Sequence, residues 1–219
     1  MPGAQPDRPM LTLFHCADAR SFRALWALEE LELPYTLELL PFPPRWLKPE
    51  YLETNPLGTI PLLIDGDLRL TESAAIAQYL ATRAGPTPLS VEPGDADYGA
   101  WLNWLHHGEA TLTFPQTLIL RYRRLEAPER RLPQVADDYA RWYQKRLELG
   151  VGAILADGRE WLCAGRFTAA DISVGYALLL AETLGMADAF PPAVADYWAR
   201  CQARDGFQRA KAAQAEAKP

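Results

Sequence analysis

With 219 residues, 49% of them hydrophobic and 23% charged, the chain can bury a core in one domain or in two small packed ones, and its composition excludes a disordered chain. A net charge of -6, without a dense Lys/Arg run, excludes a nucleic-acid backbone as the main partner and points to a small ligand.

Residues 1–9 hold several prolines and no apolar run, so they read as a loose arm rather than a signal peptide. Leu11 to His15 is a short apolar run suited to a strand, and Phe22 to Leu33 places Phe22, Leu25, Trp26, Leu28 and Leu31 at helical spacing. Pro34 stops that helix, Tyr35 to Leu39 reads as a second strand, and Pro41-Phe42-Pro43-Pro44 opens a loop. After a stretch with a short helix started at Pro49, Ile60 to Ile64 and Leu68 to Leu70 flank Asp65-Gly66-Asp67, whose Asp-Gly step favours an antiparallel hairpin. Thr71 to Ala84 follows as a helix.

Residues 85–94 shift to proline, glycine and small polar residues, the composition of a linker, so residues 10–84 form an α/β domain and residues 95–219 an all-helical one. Helical patterns run from Tyr98 to Glu126, Leu132 to Leu155, Thr168 to Leu184 and Pro191 to Arg204, with Pro115 expected to kink or split the first. The segment after Phe207 reads as a polar tail rich in alanine and lysine. No stretch is apolar and long enough to span a bilayer. Cys16, Cys163 and Cys201 lie far apart without CxxC or CxxH spacing, and His15, His106 and His107 join no acidic cluster. Neither a disulfide framework nor a metal site is indicated, and a soluble protein of the cytoplasm is expected.

The run from Asn55 to Ser73 carries the most chemistry. Pro61 heads an apolar strand, where its missing N–H costs no ladder bond. Two readings stand: a strand-start proline, or a cis bond that turns the backbone of Ile60 outward to a ligand's peptide group. Glu72 and Ser73 sit where a helix begins, and free amides with the positive end of the dipole favour a carboxylate there. Ser73 adds a hydroxyl donor and Glu72 a partner for an ammonium; ordinary capping by Thr71 is the alternative. Thr168-Ala169-Ala170-Asp171 has the spacing of a capping box with Asp in the acidic place, and reads as a folding element with Asp171 buried. Cys16 is either a nucleophile or a packed thiol. Trp101, Trp104, His107, Phe114, Arg121 and Tyr122 lie on one long helical stretch as core and surface.

Taken together, the βαβ plus ββα order, the linker and the helical half resemble the cytosolic glutathione transferases over nearly the whole chain. The motifs that carry the resemblance are Ser21-Phe22-Arg23-Ala24-Leu25-Trp26-Ala27-Leu28-Glu29-Glu30-Leu31, Asn55-Pro56-Leu57-Gly58-Thr59-Ile60-Pro61 and Thr71-Glu72-Ser73-Ala74-Ala75-Ile76. The style is that of a bacterial member, similar to fungal and bacterial transferases whose first helix opens on Ser-Arg-Ser-Phe-Arg. The resemblance implies a thioredoxin-like α/β domain plus an all-α helical-bundle domain, a homodimer, a detoxification role and glutathione as cosubstrate without a metal. It implies that Pro61 is cis, that Ile60 presents its backbone to the cysteinyl part of glutathione with Thr59 among the binding residues, and that Glu72 and Ser73 hold its γ-glutamyl end. Lys48, with Arg45 second, is the candidate cation for the glycine carboxylate. A small hydrophobic electrophile would enter a cleft facing Trp104, His107 and Phe114.

The departure from the family lies in the thiol activator. The tyrosine, serine and cysteine positions fall on Phe14, Ala19 and Arg20, and none offers the expected side chain. Three routes remain. Ser21 acts in place of the missing serine; the amides of Ala19 and Arg20, with the helix dipole and the Arg20 cation, stabilise the thiolate; or Cys16 transfers a thiol through a mixed disulfide. The second is preferred, because a substitution at position 19 does not remove it. A non-catalytic protein that keeps the fold and the glutathione site is the rival.

Overall fold

The computed structural model describes residues 10–217, so the expected arm at residues 1–9 lies outside the described residues. The chain forms two compact units, one comprising residues up to Leu80 together with those from Asp205 onward, the other running from Ala81 to Arg204.

In the first unit, strands β1 (Leu11–His15), β2 (Tyr35–Leu39), β3 (Leu62–Asp65) and β4 (Leu68–Leu70) make a sheet in the order β2-β1-β3-β4. β1 runs parallel to β2, with Leu11 opposite Tyr35, and antiparallel to β3, which pairs antiparallel with β4. A parallel pair needs a crossover, and helix α1 (Phe22–Glu30) supplies it. The hairpin turns at Gly66, whose φ of 60 only glycine adopts at no cost. β3 begins at Leu62 rather than Ile60 because Pro61 has no N–H for the ladder. Short helices α2 (Pro44–Leu47) and α3 (Tyr51–Thr54) precede β3, and α4 (Ser73–Thr82) follows β4.

Helix α1 is buried from Phe22 through Leu28. A helix that is buried all round must be covered all round, and the sheet covers only one side. The other side meets the chain's last helix, residues 205–216, where the sequence predicts a polar tail. Its alanines and glutamines hide a buried stripe: Phe207, Ala210 and Gln214 are buried at helical spacing. The ring of Phe207 stands edge-on to Phe22 at 5.4 Å and to Trp26 at 5.0 Å. That helix therefore belongs with the α/β unit and not with the all-helical part to which the sequence assigns it.

The second unit holds α5 (Tyr98–His106), α6 (Phe114–Leu120), α7 (Pro133–Arg146), α8 (Ala153–Leu155), α9 (Ala169–Thr183) and α10 (Pro192–Gln202); the final helix of the first unit is α11 (Asp205–Glu216). α9 is buried over nearly its whole length, as its alanine- and leucine-rich sequence requires. Pro115 does not break the helical run, which changes type around it. The turn before it widens to a π-helix over His107–Thr113, closed by the Phe114 amide on the Glu109 carbonyl. Side chains take up carbonyls there: Thr113 Oγ1 donates to Gly108 O at 2.7 Å and Gln116 Nε2 to Leu112 O at 3.0 Å. The proline-rich stretch after α4 is part of this second unit rather than a spacer. Arg166 Nε donates to Pro88 O at 3.2 Å, and the Ala169 amide to Leu89 O at 3.0 Å. Among the described residues no helix is long and apolar enough to cross a membrane.

Candidate functional site

The loop from Asn55 to Pro61 is held by its own side chains. Asn55 Nδ2 donates to Thr59 O at 2.8 Å and Tyr51 Oη to the same carbonyl at 2.9 Å, while Asn55 Oδ1 accepts from the Leu57 amide at 3.2 Å. Gly58, with φ +59, permits the turn, and a Cβ there would lie 2.7 Å from Arg45 Cβ. The Ile60-Pro61 bond is cis. Ile60 is half-buried and packs with Phe14 and Ala19 against a cluster of Cys16, Leu40, Tyr51 and Leu62. The fold thus brings Ile60 together with Ala19, far apart in sequence. Arg45 abuts Gly58, whereas Lys48 is half-buried at the end of α2. Asn55→Ala should destabilise the first unit by about 1–2 kcal/mol, because the Thr59 carbonyl loses one of its two donors and the Leu57 amide its acceptor. Urea unfolding monitored by circular dichroism would measure it, and a cost below about 0.5 kcal/mol would mean the amide does not hold the loop.

At the start of α4, Glu72 is exposed and Ser73 is 3% exposed. Ser73 Oγ accepts from Arg23 Nη1 at 3.1 Å, and Arg23 is itself fully buried in α1. A hydroxyl that accepts from a guanidinium still has its own proton to donate. No acceptor among the described residues takes that proton. A buried cation behind a hydroxyl at a helix N-terminus is a seat for a carboxylate. Sequence reasoning selects Ser73 but passes over Arg23, Tyr51 and Asn55. Asn55 had a signal, an amide side chain beside a turn glycine.

The loop between β1 and α1 holds the positions expected to activate a thiol. Ser21 is fully buried, and its Oγ accepts from the Cys16 amide at 3.2 Å and donates to the Cys16 carbonyl at 3.3 Å. Its hydroxyl closes the loop on itself. The Ala19 amide donates to the Cys16 carbonyl at 3.1 Å. Cys16 is fully buried with its Sγ 3.6 Å from Pro41 O, and burial pushes its thiol up to about 12. Such a thiol is protonated at neutral pH and a poor nucleophile. Phe14 stacks at a tilt on Tyr51, with centroids 5.5 Å apart, and Arg20 is half-buried beside the loop.

In the second unit, Trp104 is buried and meets the half-buried His107 edge-on at 5.0 Å. Burial lowers the pKa of His107, so the ring is neutral, and its Nε2 has no partner among the described residues. His107 borders an open depression of about 390 Å³ with Leu102, Asn103, His106, Ala110 and Thr111. Phe114 is 55% exposed and does not border it.

A thioredoxin-like unit with a clamped proline loop and a serine at a helix start, followed in the chain by a largely helical unit, defines a two-part architecture with the candidate site in the first part. The family model described as the glutathione S-transferase N-terminal domain matches residues 19–83. Glutathione S-transferase 3 of Zea mays is 32% identical over 178 residues, 76% of this chain and 76% of that protein. Glutathione S-transferase 3 of Schizosaccharomyces pombe is 34% identical over 103 residues, 47% of this chain and 43% of that longer relative. Among solved structures, the glutathione transferase URE2P8 of Phanerochaete chrysosporium, crystallised with oxidized glutathione, has a TM-score of 0.81 at 24% identity, covering 97% of this chain and 98% of its own. That likeness is one of fold. Glutathione S-transferase III in its apo form gives 0.75 at 26% identity, with 96% and 99% covered. The chain belongs to the glutathione S-transferase family.

Proposed function

We propose that the first unit binds glutathione and lowers the pKa of its thiol for attack on a small hydrophobic electrophile. The observation that carries this reading is the buried Arg23–Ser73 pair at the start of α4, a carboxylate seat suited to the γ-glutamyl end. Glu72 beside it supplies a charge for the ammonium. Thr59 and Ile60 offer backbone groups to the cysteinyl part from a loop fixed by Tyr51 and Asn55. Lys48 or Arg45 answers the glycine carboxylate. Conjugation then forms a bond from sulfur to the electrophilic carbon, the leaving group departs with its electron pair, and the thiol proton passes to solvent.

With the Ser21 hydroxyl and the Ala19 amide committed inside the loop, and Cys16 protonated, thiolate stabilisation falls to the cation of Arg20 and the positive end of α1. Arg20→Ala should raise the pKa of bound glutathione by about one unit, read from thiolate absorbance against pH. An unchanged titration would remove Arg20 from that role. The same internal bonding of Ser21 favours a second reading, a glutathione-binding protein without turnover. Calorimetry with glutathione, beside turnover of an aryl halide and an organic hydroperoxide, separates them: tight binding without turnover of either selects the second reading, and absence of binding sinks both. The resemblance further supports a cytoplasmic homodimer that detoxifies its electrophile.

A further inference from the structure

The loop that follows β1 is gripped by a side chain 199 positions further along the chain. Gln214 Oε1, on α11, accepts from the Asp18 amide at 3.2 Å and lies 3.0 Å from His15 Nε2, while Gln214 Nε2 donates to Asp18 Oδ1 at 2.7 Å. These contacts fix the amide's orientation, since turning it over would set its N–H against the Asp18 amide and its oxygen against a carboxylate. They also fix His15: facing a carbonyl oxygen, Nε2 must carry the ring proton. Burial holds that ring's pKa down at about 4, so it is neutral. Lys211 Nζ, one turn earlier on α11, donates to the same Asp18 Oδ1 at 2.7 Å.

Asp18 needs holding. Its φ of 52 lies in the left-handed region, which a residue with a side chain occupies at a cost. That turn sends the chain back so that the Ala19 amide reaches Cys16 O and the Phe22 amide reaches Ala19 O. From within, Ser21 ties both backbone groups of Cys16; from without, α11 ties His15 and Asp18. Arg20 stands between these anchors.

We propose that Gln214 and Lys211 are positioning residues: by holding Asp18 in its left-handed turn, they set where Arg20 meets the glutathione sulfur. This rests on the glutathione reading above. Neither residue belongs to the ligand-holding set of Thr59, Ile60, Glu72 and Ser73, so their loss should disturb the sulfur's environment and leave binding alone.

The test uses the full chain as Gln214→Leu, Lys211→Met and Lys211→Arg, with thiolate absorbance of bound glutathione against pH, glutathione affinity by calorimetry, and turnover of an aryl halide. In Gln214→Leu and Lys211→Met the bound thiol should titrate about one unit higher and kcat should fall about tenfold, with Kd for glutathione, measured at a pH where the bound thiol stays protonated, held within about twofold. Lys211→Arg should restore most of the wild-type titration. An active wild type whose variants titrate and turn over unchanged overturns the proposal, as does a loss of melting temperature with no movement of the titration. A wild type that binds glutathione without lowering its thiol pKa overturns the positioning role and spares the binding site; one that binds none overturns the functional reading with it. Should Gln214→Leu fail to fold, the Lys211 variants decide, because that side chain is 34% exposed.

Discussion

Asp171→Ala is expected to lower the stability of the second unit by about 4 kcal/mol. The carboxylate is fully buried and accepts from the Leu162 amide at 3.1 Å, the Thr168 amide at 2.8 Å, Thr168 Oγ1 at 3.2 Å and Tyr197 Oη at 3.0 Å. Alanine leaves those donors buried without an acceptor, each costing about 1–3 kcal/mol, and relief from burying a charge returns only part. The capping box with Thr168, whose Oγ1 accepts from the Ala170 amide at 3.3 Å, would open at the same time. Urea denaturation at neutral pH is the measurement, and a loss below about 1 kcal/mol would show that the network is dispensable.

The same residue gives a pH signature. Burial raises the Asp171 pKa from 3.8 to about 6, against the hydrogen bonds that pull it down. Between those values the folded state holds the proton more tightly than the unfolded one. The group's contribution is therefore fully present below the lower value and is lost as pH rises through the upper one. Asp171→Asn should flatten that slope, while recovering only part of the stability because its amide N–H faces a donor. A slope identical to wild type between about pH 4 and 6 would assign the titration to another group.

Gly108→Ala should cost about 3 kcal/mol, and about 8 °C in Tm for a chain of this size. A Cβ at Gly108 would sit 2.5 Å from the backbone carbon and oxygen of Ser173, and backbone cannot swing aside as a flexible side chain can. The close approach is used: Ser173 Oγ donates to Leu105 O at 2.6 Å, tying α9 to α5. At Gly99, on the same stretch, a methyl group would meet nothing within 4 Å, so Gly99→Ala should be neutral or stabilising by about 0.5–1 kcal/mol through helix propensity. Equal Tm values for the two alanine variants would refute the packing account.

What could be read in advance followed the range of the interaction responsible. β1, β2, β4 and the turn at Gly66 were legible because strand periodicity and an Asp-Gly step act over a few residues. The capping box at Thr168 and Asp171 was legible for the same reason. Ser73 was legible as a helix-start hydroxyl, but its partner Arg23 was not, because the pairing joins residues fifty positions apart and nothing local in Phe22 to Leu28 reveals it. Ser21 looked available in the sequence; its hydroxyl turns inward to Cys16 because the loop must satisfy the buried amide and carbonyl of that residue. The helix at Asp205–Glu216 escaped notice because its buried stripe consists of one phenylalanine, a glycine, one alanine and a glutamine, and only Phe22 and Trp26 opposite explain why that suffices.

The return of that helix to the first unit bears on how the protein is made. Phe22 and Trp26 emerge early in synthesis, yet their cover, Phe207, follows only after the entire second unit has been translated. On the ribosome the second unit, continuous in sequence from Ala81 to Arg204, has its whole set of partners first, while the nascent first unit waits with an aromatic face open to chaperones. A stalled or truncated chain lacking α11 would thus leave Phe22 and Trp26 of α1 without their aromatic cover.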